Sequence, residues 1–257
     1  MPLPIGWRLI YPDPVLENYS LRTIAIILTL LFLFAFHPLG VAAASLEEQV
    51  LQIIRDHPEV ILESAQNYEV QRRQAQRQQQ QGVLKELANQ PQILIGQSPT
   101  KGAKDQVLLL EFSDFECPFC AMSAPAVRQF VEEHSEQVTL VYKHFPLTRI
   151  HDQAQAAAQA SWAAQQQNQF WEYHDALFAQ QEELGETLYI EIAQQLQLKM
   201  KQFNRDRNSP AAAAAIQADV ALGEQIGIDR TPFFVLDGQV LDLPLNPAVM
   251  EQLLKTT

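Results

Sequence analysis

Only two cysteines occur in the 257 residues, and they stand three apart in Cys117-Pro118-Phe119-Cys120. A fold stapled by a disulfide framework is thereby excluded, because a bridge across so short a loop removes almost no entropy from the unfolded chain. What the pair offers is chemistry. A thiol attacks only as thiolate, and a cysteine at the first turn of a helix is held in that form by unpaired backbone N–H groups and the helix dipole. Cys117 has that setting: it follows the turn Ser113-Asp114-Phe115-Glu116, and Pro118 falls at the first helical position, where a missing N–H does no harm. Cys120 faces the same side and can close the disulfide. Cys117 is expected to be exposed and attacked first, Cys120 to be buried and resolving. The rival readings are two unrelated buried thiols or half a zinc site. Zinc would need two more ligands, and His144 and His151, seven apart with no second CxxC, make a poor pair. No metal is expected.

Charge bears on partners. The formal charge of −12 argues against a nucleic-acid binder, which would need a basic stripe to neutralise phosphates. Residues 1–44 read as a targeting segment: Arg22 precedes an uncharged apolar run, Ile24 to Phe36, that suits a signal-peptide core, and Ala42-Ala43-Ala44 is a small-residue cleavage pattern before Ser45. The rival is an uncleaved membrane anchor, since the run from Ile24 to Ala44 is mostly apolar. Either way the C-terminal part is expected to be exported, periplasmic or in the envelope, where a lone CxxC has a different meaning from one in the cytosol.

The segment 45–91 reads as an amphipathic helical region and a linker. Leu46, Val50, Ile53, Ile54 and then Val60, Ile61, Ala65 and Tyr68 follow helical spacing, with a break near Pro58. Residues 71–81 contain seven Gln, three Arg and one Ala, so they are expected to form a solvated helix or a linker with no face for a core. The apolar stripe of residues 46–70 is either a mobile tail or a contact with another subunit.

The remaining residues, 92–257, are expected to form an α/β domain. Val107 to Phe112 is a continuous apolar run of strand length, as for a strand buried on both faces, and Val138 to Tyr142 is another. The helical spacing between them gives strand, helix, strand with a parallel crossover. Residues 151–225, rich in Ala and Gln, predict a block of helices in whose core Trp162, Phe170, Trp171 and Tyr173 would sit. Phe233 to Leu236, Asp237-Gly238 and Gln239 to Leu241 form a hairpin signal, and a closing helix follows from Pro247.

The segment Glu111-Phe112-Ser113-Asp114-Phe115-Glu116-Cys117-Pro118-Phe119-Cys120 resembles the thioredoxin superfamily, and within it the exported DsbA-like thiol-disulfide oxidoreductases with a helical insertion. Phe145-Pro146-Leu147 with Ile150-His151, Phe170 to Phe178, and Gly227 to Phe234 match the same pattern in the same order. Residues 46–81 look like the N-terminal helical region of the ScsC-type branch, where it serves in oligomerisation. The resemblance implies a thioredoxin-like fold with an inserted helical domain at about 151–225. It also implies that Thr231-Pro232 is a cis-proline loop that offers backbone hydrogen bonds to an extended substrate, and that Pro125 kinks the active-site helix. Glu111 falls where the superfamily keeps an acid beneath the disulfide; buried there, it could exchange a proton with Cys120, whereas a strand-end glutamate would face water. Asp114 and Glu116 are expected at the rim, opposing the thiolate. His144, His151 and His174 are read as hydrogen-bonded structural histidines. One departure matters: Phe119 stands where strongly oxidising relatives carry His, so the active-site dipeptide Pro118-Phe119 lacks that donor.

The expected activity is disulfide exchange with unfolded or partly folded exported proteins through Cys117–Cys120, as an oxidase restored by a membrane redox partner, with no cofactor. The alternatives are an isomerase or reductase whose residues 46–70 join protomers, and a non-catalytic metal-binding envelope protein.

Overall fold

The structure, a computed structural model, describes residues 25–26, 28–30, 32, 45–102 and 106–256. The expected cleavage pattern at residues 42–44 lies outside them. Among the described residues no helix is long and apolar enough to cross a membrane. The chain divides into two units, residues 1–65 and 66–257.

In the first unit, helix α1 (Leu46–Asp56) starts at Ser45, whose hydroxyl accepts the Glu48 N–H at 3.2 Å. The helix stops at His57, because Pro58 follows it. None of its residues is buried, and Leu46 and Ile53 keep 78% and 60% of their surface. Pro58 then opens α2 (Pro58–Leu87), a single helix of 30 residues.

The Gln-rich stretch continues α2 into the second unit, and it packs there. Leu84 and Leu87 are buried. Gln76 and Gln80 donate their side-chain amides to the carbonyl of Gly227 at 3.3 and 3.0 Å, and Arg77 pairs with Asp242 at 2.7 Å. Gly227 ends a later helix in the left-handed conformation, φ 82°, which suits glycine. The stretch is a mostly exposed helix with no apolar face, and its contacts with the rest of the unit are polar.

The short α3 (Pro91–Ile95) precedes a five-stranded mixed sheet in the order β1-β3-β2-β4-β5. Its central strands β2 (Val107–Ser113) and β3 (Val138–His144) are parallel, joined by α4 (Pro118–Glu133). Every residue of β3 is buried, as are the last five of β2. That is why both read as unbroken apolar runs rather than alternating ones. β4 (Phe233–Leu236) lies antiparallel to β2, and β5 (Gln239–Val240) returns on it through Asp237 and Gly238, both at positive φ. β1 (Thr100–Gly102) caps the other edge antiparallel to β3.

Between β3 and β4 come α5 (Ala154–Gln165), α6 (Phe170–Ala179), a 3₁₀ turn (Gln181–Glu183), α7 (Glu186–Gln195), α8 (Met200–Arg207) and α9 (Pro210–Ile226). Tyr173, Leu177, Tyr189, Ile192 and Phe203 make the core of this block, and Phe115 and Tyr142 share it, so the block is fastened to the cysteine turn and the sheet. Phe170 lies in that core, whereas Trp171 is only partly buried and donates its indole N–H to the Thr100 carbonyl at 3.1 Å. α9 lies close under the sheet at Gly223, where an added Cβ would stand 2.6 Å from the Phe145 ring. A buried ion pair, Lys143–Asp219 at 2.9 Å, also ties β3 to α9. The final helix α10 (Pro247–Thr256) closes the fold.

Candidate active site

Cys117 is the N-cap of α4 and Pro118 its first residue. The Cys117 carbonyl accepts the N–H groups of Cys120 and Ala121 at 3.0 and 3.3 Å, which starts the helix and fixes Cys120 one turn on. Pro125 lies inside α4, where it forfeits one helical hydrogen bond. Both cysteines are thiols. Cys120 is fully buried, 0% exposed, and accepts the Asp114 N–H at 3.5 Å. Cys117 keeps only 4% of its surface, so the expectation of an exposed nucleophile is corrected. The reason is its company. Its thiol donates to the Thr231 carbonyl at 3.4 Å, and the Gln181 amide binds the carbonyls of Phe115 and Cys117 at 2.7 and 3.0 Å.

The two thiols differ in acidity. A hydrogen bond from Cys120 brings Cys117 down from its ordinary value to about 5, against desolvation; the Thr231 hydroxyl and the N–H groups of Cys120 and Phe119 add to the effect. Cys120 is driven the other way, by burial first and then by the neighbouring Cys117 sulfur. At neutral pH the reduced pair therefore holds one charge, on Cys117.

Thr231-Pro232 is a cis peptide, and its carbonyl is the one that meets Cys117. Leu243-Pro244, unread in the sequence, is cis as well. Pro232 and Pro244 line an apolar groove of about 460 Å³ together with Phe119, Met122 and Leu245. Phe119 is 62% exposed on its rim.

Glu111 in the middle of β2 is 2% exposed and is flanked by Tyr142 on β3 and Phe234 on β4. Its Oε1 has no hydrogen-bond partner. Burial lifts its carboxyl to about 7, with Ser113 pulling weakly the other way. Ser113 also favours the ionised form of Cys120.

Asp114 is not at the rim. Its side chain is wholly buried, and its oxygens accept the N–H groups of Glu116 and Leu147, both at 2.8 Å, and face His151 Nδ1 at 2.7 Å. Glu116 in turn accepts the Gln153 N–H at 2.6 Å. The loop after β3 thus engages both carboxylates, with Asp114 wholly buried and Glu116 half-buried. The histidines divide. His174 pairs with Asp175 at 2.9 Å, whereas both ring nitrogens of the buried His144 lack partners and burial takes its pKa down to about 4. His144 is therefore a neutral member of an aromatic cluster with Phe115, Tyr142 and Phe170, not a hydrogen-bonded one. Among the described residues, no group of three His, Cys, Asp or Glu is placed to hold a metal.

Gln181 and the Asp114–His151 pair were not legible as site residues. Gln181 is one glutamine in a Gln-rich chain, and Asp114 and His151 are joined only by the return of the chain after β3.

Residues 88–256 match a family model described as thioredoxin. Among curated proteins the chain is 36% identical over 140 residues to the Na(+)/H(+) antiporter NhaA 3 of Salinispora tropica, a match that covers 54% of this chain and 21% of that protein. It is 32% identical over 142 residues to the Na(+)/H(+) antiporter NhaA of Herminiimonas arsenicoxydans, over 55% of this chain and 22% of the relative. The chain thus spans about a fifth of the length of these relatives. Among solved structures, a thioredoxin-like oxidoreductase from Silicibacter pomeroyi superposes with a TM-score of 0.59 at 27% identity, covering 64% of this chain and 95% of that one. Proteus mirabilis ScsC in a transitional conformation superposes at 0.58 with 22% identity, over 83% of this chain and 97% of its own, which shows a shared fold.

Proposed function

The chain belongs to the thioredoxin family, and from that premise we propose that it is a DsbA-like thiol-disulfide oxidoreductase that donates disulfides to exported proteins. The observation that carries this reading is the asymmetry of the pair: Cys117 at a helix start with its thiol brought down to about 5, beside a buried Cys120 driven upward.

A substrate thiolate attacks Cys117 in the Cys117–Cys120 disulfide; the S–S bond breaks toward Cys120, which leaves as thiolate and takes up a proton. The substrate's second thiolate then attacks the substrate sulfur of the mixed disulfide, and Cys117 leaves. The substrate has lost two electrons and the protein has gained them. An acidic leaving thiol speeds the second step, which favours oxidation over reduction of the client. Glu111, protonated to a substantial degree near neutral pH, is the group we assign to protonate Cys120 as it leaves. The apolar groove beside Phe119 and Pro232 suits extended segments of incompletely folded clients, with the Thr231 backbone alongside. Restoring the disulfide requires an electron acceptor, for which we propose a redox partner in the membrane. Export is supported by the sequence of residues 1–44 and by the likeness to a periplasmic thioredoxin-like protein from Salmonella enterica serovar Typhimurium, which is 18% identical.

A second reading, an oligomeric isomerase or reductase, is favoured by one feature: the exposed apolar residues of α1 and early α2, such as Leu62 at 63%. A dimer or trimer that dissociates when Ile53 and Leu62 become glutamate would support it. We carry none of the transport named for the antiporter relatives over to this chain, because only about a fifth of their length is matched.

The test is a single turnover with a reduced two-cysteine peptide. One equivalent of the oxidised protein is expected to yield one equivalent of peptide disulfide and of protein dithiol. Peptide left reduced, with the Cys117–Cys120 disulfide intact, would overturn the reading.

A further inference from the structure

The Phe119 side chain offers no hydrogen-bond donor or charge to the Cys117 sulfur, and the two acidic residues of the cysteine turn, Asp114 and Glu116, are held by the loop after β3. A thiolate that forms on this turn is favoured by a cation held close to it. The structure supplies one from the loop after β3. His151 Nδ1 lies 2.7 Å from Oδ2 of the wholly buried Asp114, and Asp114 is itself built into the cysteine turn. Its carbonyl accepts the Cys117 N–H at 3.1 Å, its N–H approaches the Cys120 sulfur, and its Oδ1 holds the Glu116 N–H. The imidazole keeps 16% of its side-chain surface, so it exchanges protons with solvent while its partner cannot.

We infer that His151, anchored by Asp114, is the cation that stabilises the Cys117 thiolate, and so sets how oxidising the disulfide is. It is a positioning residue that acts through charge and does not touch the reacting sulfur. The inference rests on the redox reading of the cysteine pair.

Burial alone would lower His151, but its hydrogen bond to Asp114 and the charges of Asp114, Cys117 and Glu116 lift it above its ordinary value. The groups that face it are Asp114 and Glu116 from the turn before α4 and Cys117 from the start of α4. Arg149 and Asp152 flank it on its own loop, and on α7 the Tyr189 hydroxyl donates to Gln153, whose N–H Glu116 holds. Of these only Arg149 is cationic, and His151 is the one hydrogen-bonded to the cysteine turn. Coupling is reciprocal. The thiolate raises His151, so oxidation to the disulfide, which removes that charge, must lower it and release protons from the ring.

The experiment titrates thiolate absorbance at about 240 nm in the reduced protein and in His151→Gln and His151→Lys variants, with ring proton titrations of His151 in both redox forms. Glutamine keeps a donor for Asp114 but no charge; lysine keeps the charge. The expected result is a tenfold weaker thiolate equilibrium in His151→Gln, about one pKa unit upward, and recovery in His151→Lys. The same tenfold change makes the potential more reducing by about 30 mV. His151 itself is expected to titrate higher in the dithiol than in the disulfide form. An unshifted Cys117 in His151→Gln, a lysine variant that behaves like the glutamine one, or a His151 that ignores the redox state would each overturn the inference. Equilibration of every variant with glutathione separates the two readings. If the pair cycles but His151 does not move it, this inference alone fails; if the wild-type pair never forms a disulfide, the redox reading fails with it.

Discussion

Cys120→Ser is expected to convert the protein into a trap that accumulates covalent adducts with its clients, while Cys117→Ser abolishes adducts and turnover together. The asymmetry follows from burial and acidity. Cys117 is the sulfur that meets the Thr231 carbonyl beside the apolar groove, and its low pKa keeps it a thiolate at neutral pH. Cys120 is 0% exposed and reaches no substrate. With Cys120 replaced, a thiol–disulfide exchange at Cys117 has no internal sulfur to resolve it, so mixed disulfides should outlive those of the wild type by a factor on the order of a thousand. The single-turnover rate of Cys117→Ser should fall to the background of the peptide alone. Non-reducing electrophoresis with mass identification of the linked cysteine reads both. Adducts forming equally through Cys120 in the Cys117→Ser protein would contradict the assignment of roles.

Glu111→Gln is expected to stabilise the fold and slow the chemistry. The carboxyl rises from an ordinary 4.5 to about 7 on folding because β2 carries it into the interior. The folded state thus binds a proton more tightly than the unfolded one, and stability attributable to Glu111 falls as pH rises from about 4.5 through 7. The full cost is about 3 kcal/mol, present above that window and absent below it. Urea unfolding of the reduced protein should therefore show glutamine more stable than wild type by up to that amount at about pH 8, and equal to it at about pH 4. The exchange rate at neutral pH should drop on the order of a hundredfold if Glu111 is the group that passes protons to and from Cys120. Equal stability at both pH values would show that Glu111 is not a buried carboxylate. Unchanged turnover would show that Cys120 obtains its proton elsewhere.

The sheet was readable where burial writes itself into composition. β2 and β3 are flanked on both faces and so appear as uninterrupted apolar runs, and the Asp237-Gly238 turn gives away β4 and β5 because both of its residues adopt positive φ. β1 was not readable: Thr100-Lys101-Gly102 has no apolar pattern, and it is a strand only because β3 offers it a free edge. The cysteine pair and its place at a helix start were legible from adjacency alone. The depth of Cys117 was not, because its cover comes from Thr231 and Gln181, each more than sixty residues away. The same limit hid the partnership of Asp114 with His151. A carboxylate three residues before a cysteine reads as a repulsive neighbour until the chain folds a histidine onto it.

The measurement that bears most directly on the central claim is the equilibrium of Cys117–Cys120 with graded mixtures of reduced and oxidised glutathione, quenched by thiol alkylation and weighed by mass spectrometry. The expected result is a single two-electron transition between dithiol and intramolecular disulfide, at a potential clearly more oxidising than the thioredoxin value of about −270 mV. Two thiols that remain alkylated in every mixture would contradict the account outright, and a transition at or below that value would contradict the assignment as a disulfide donor.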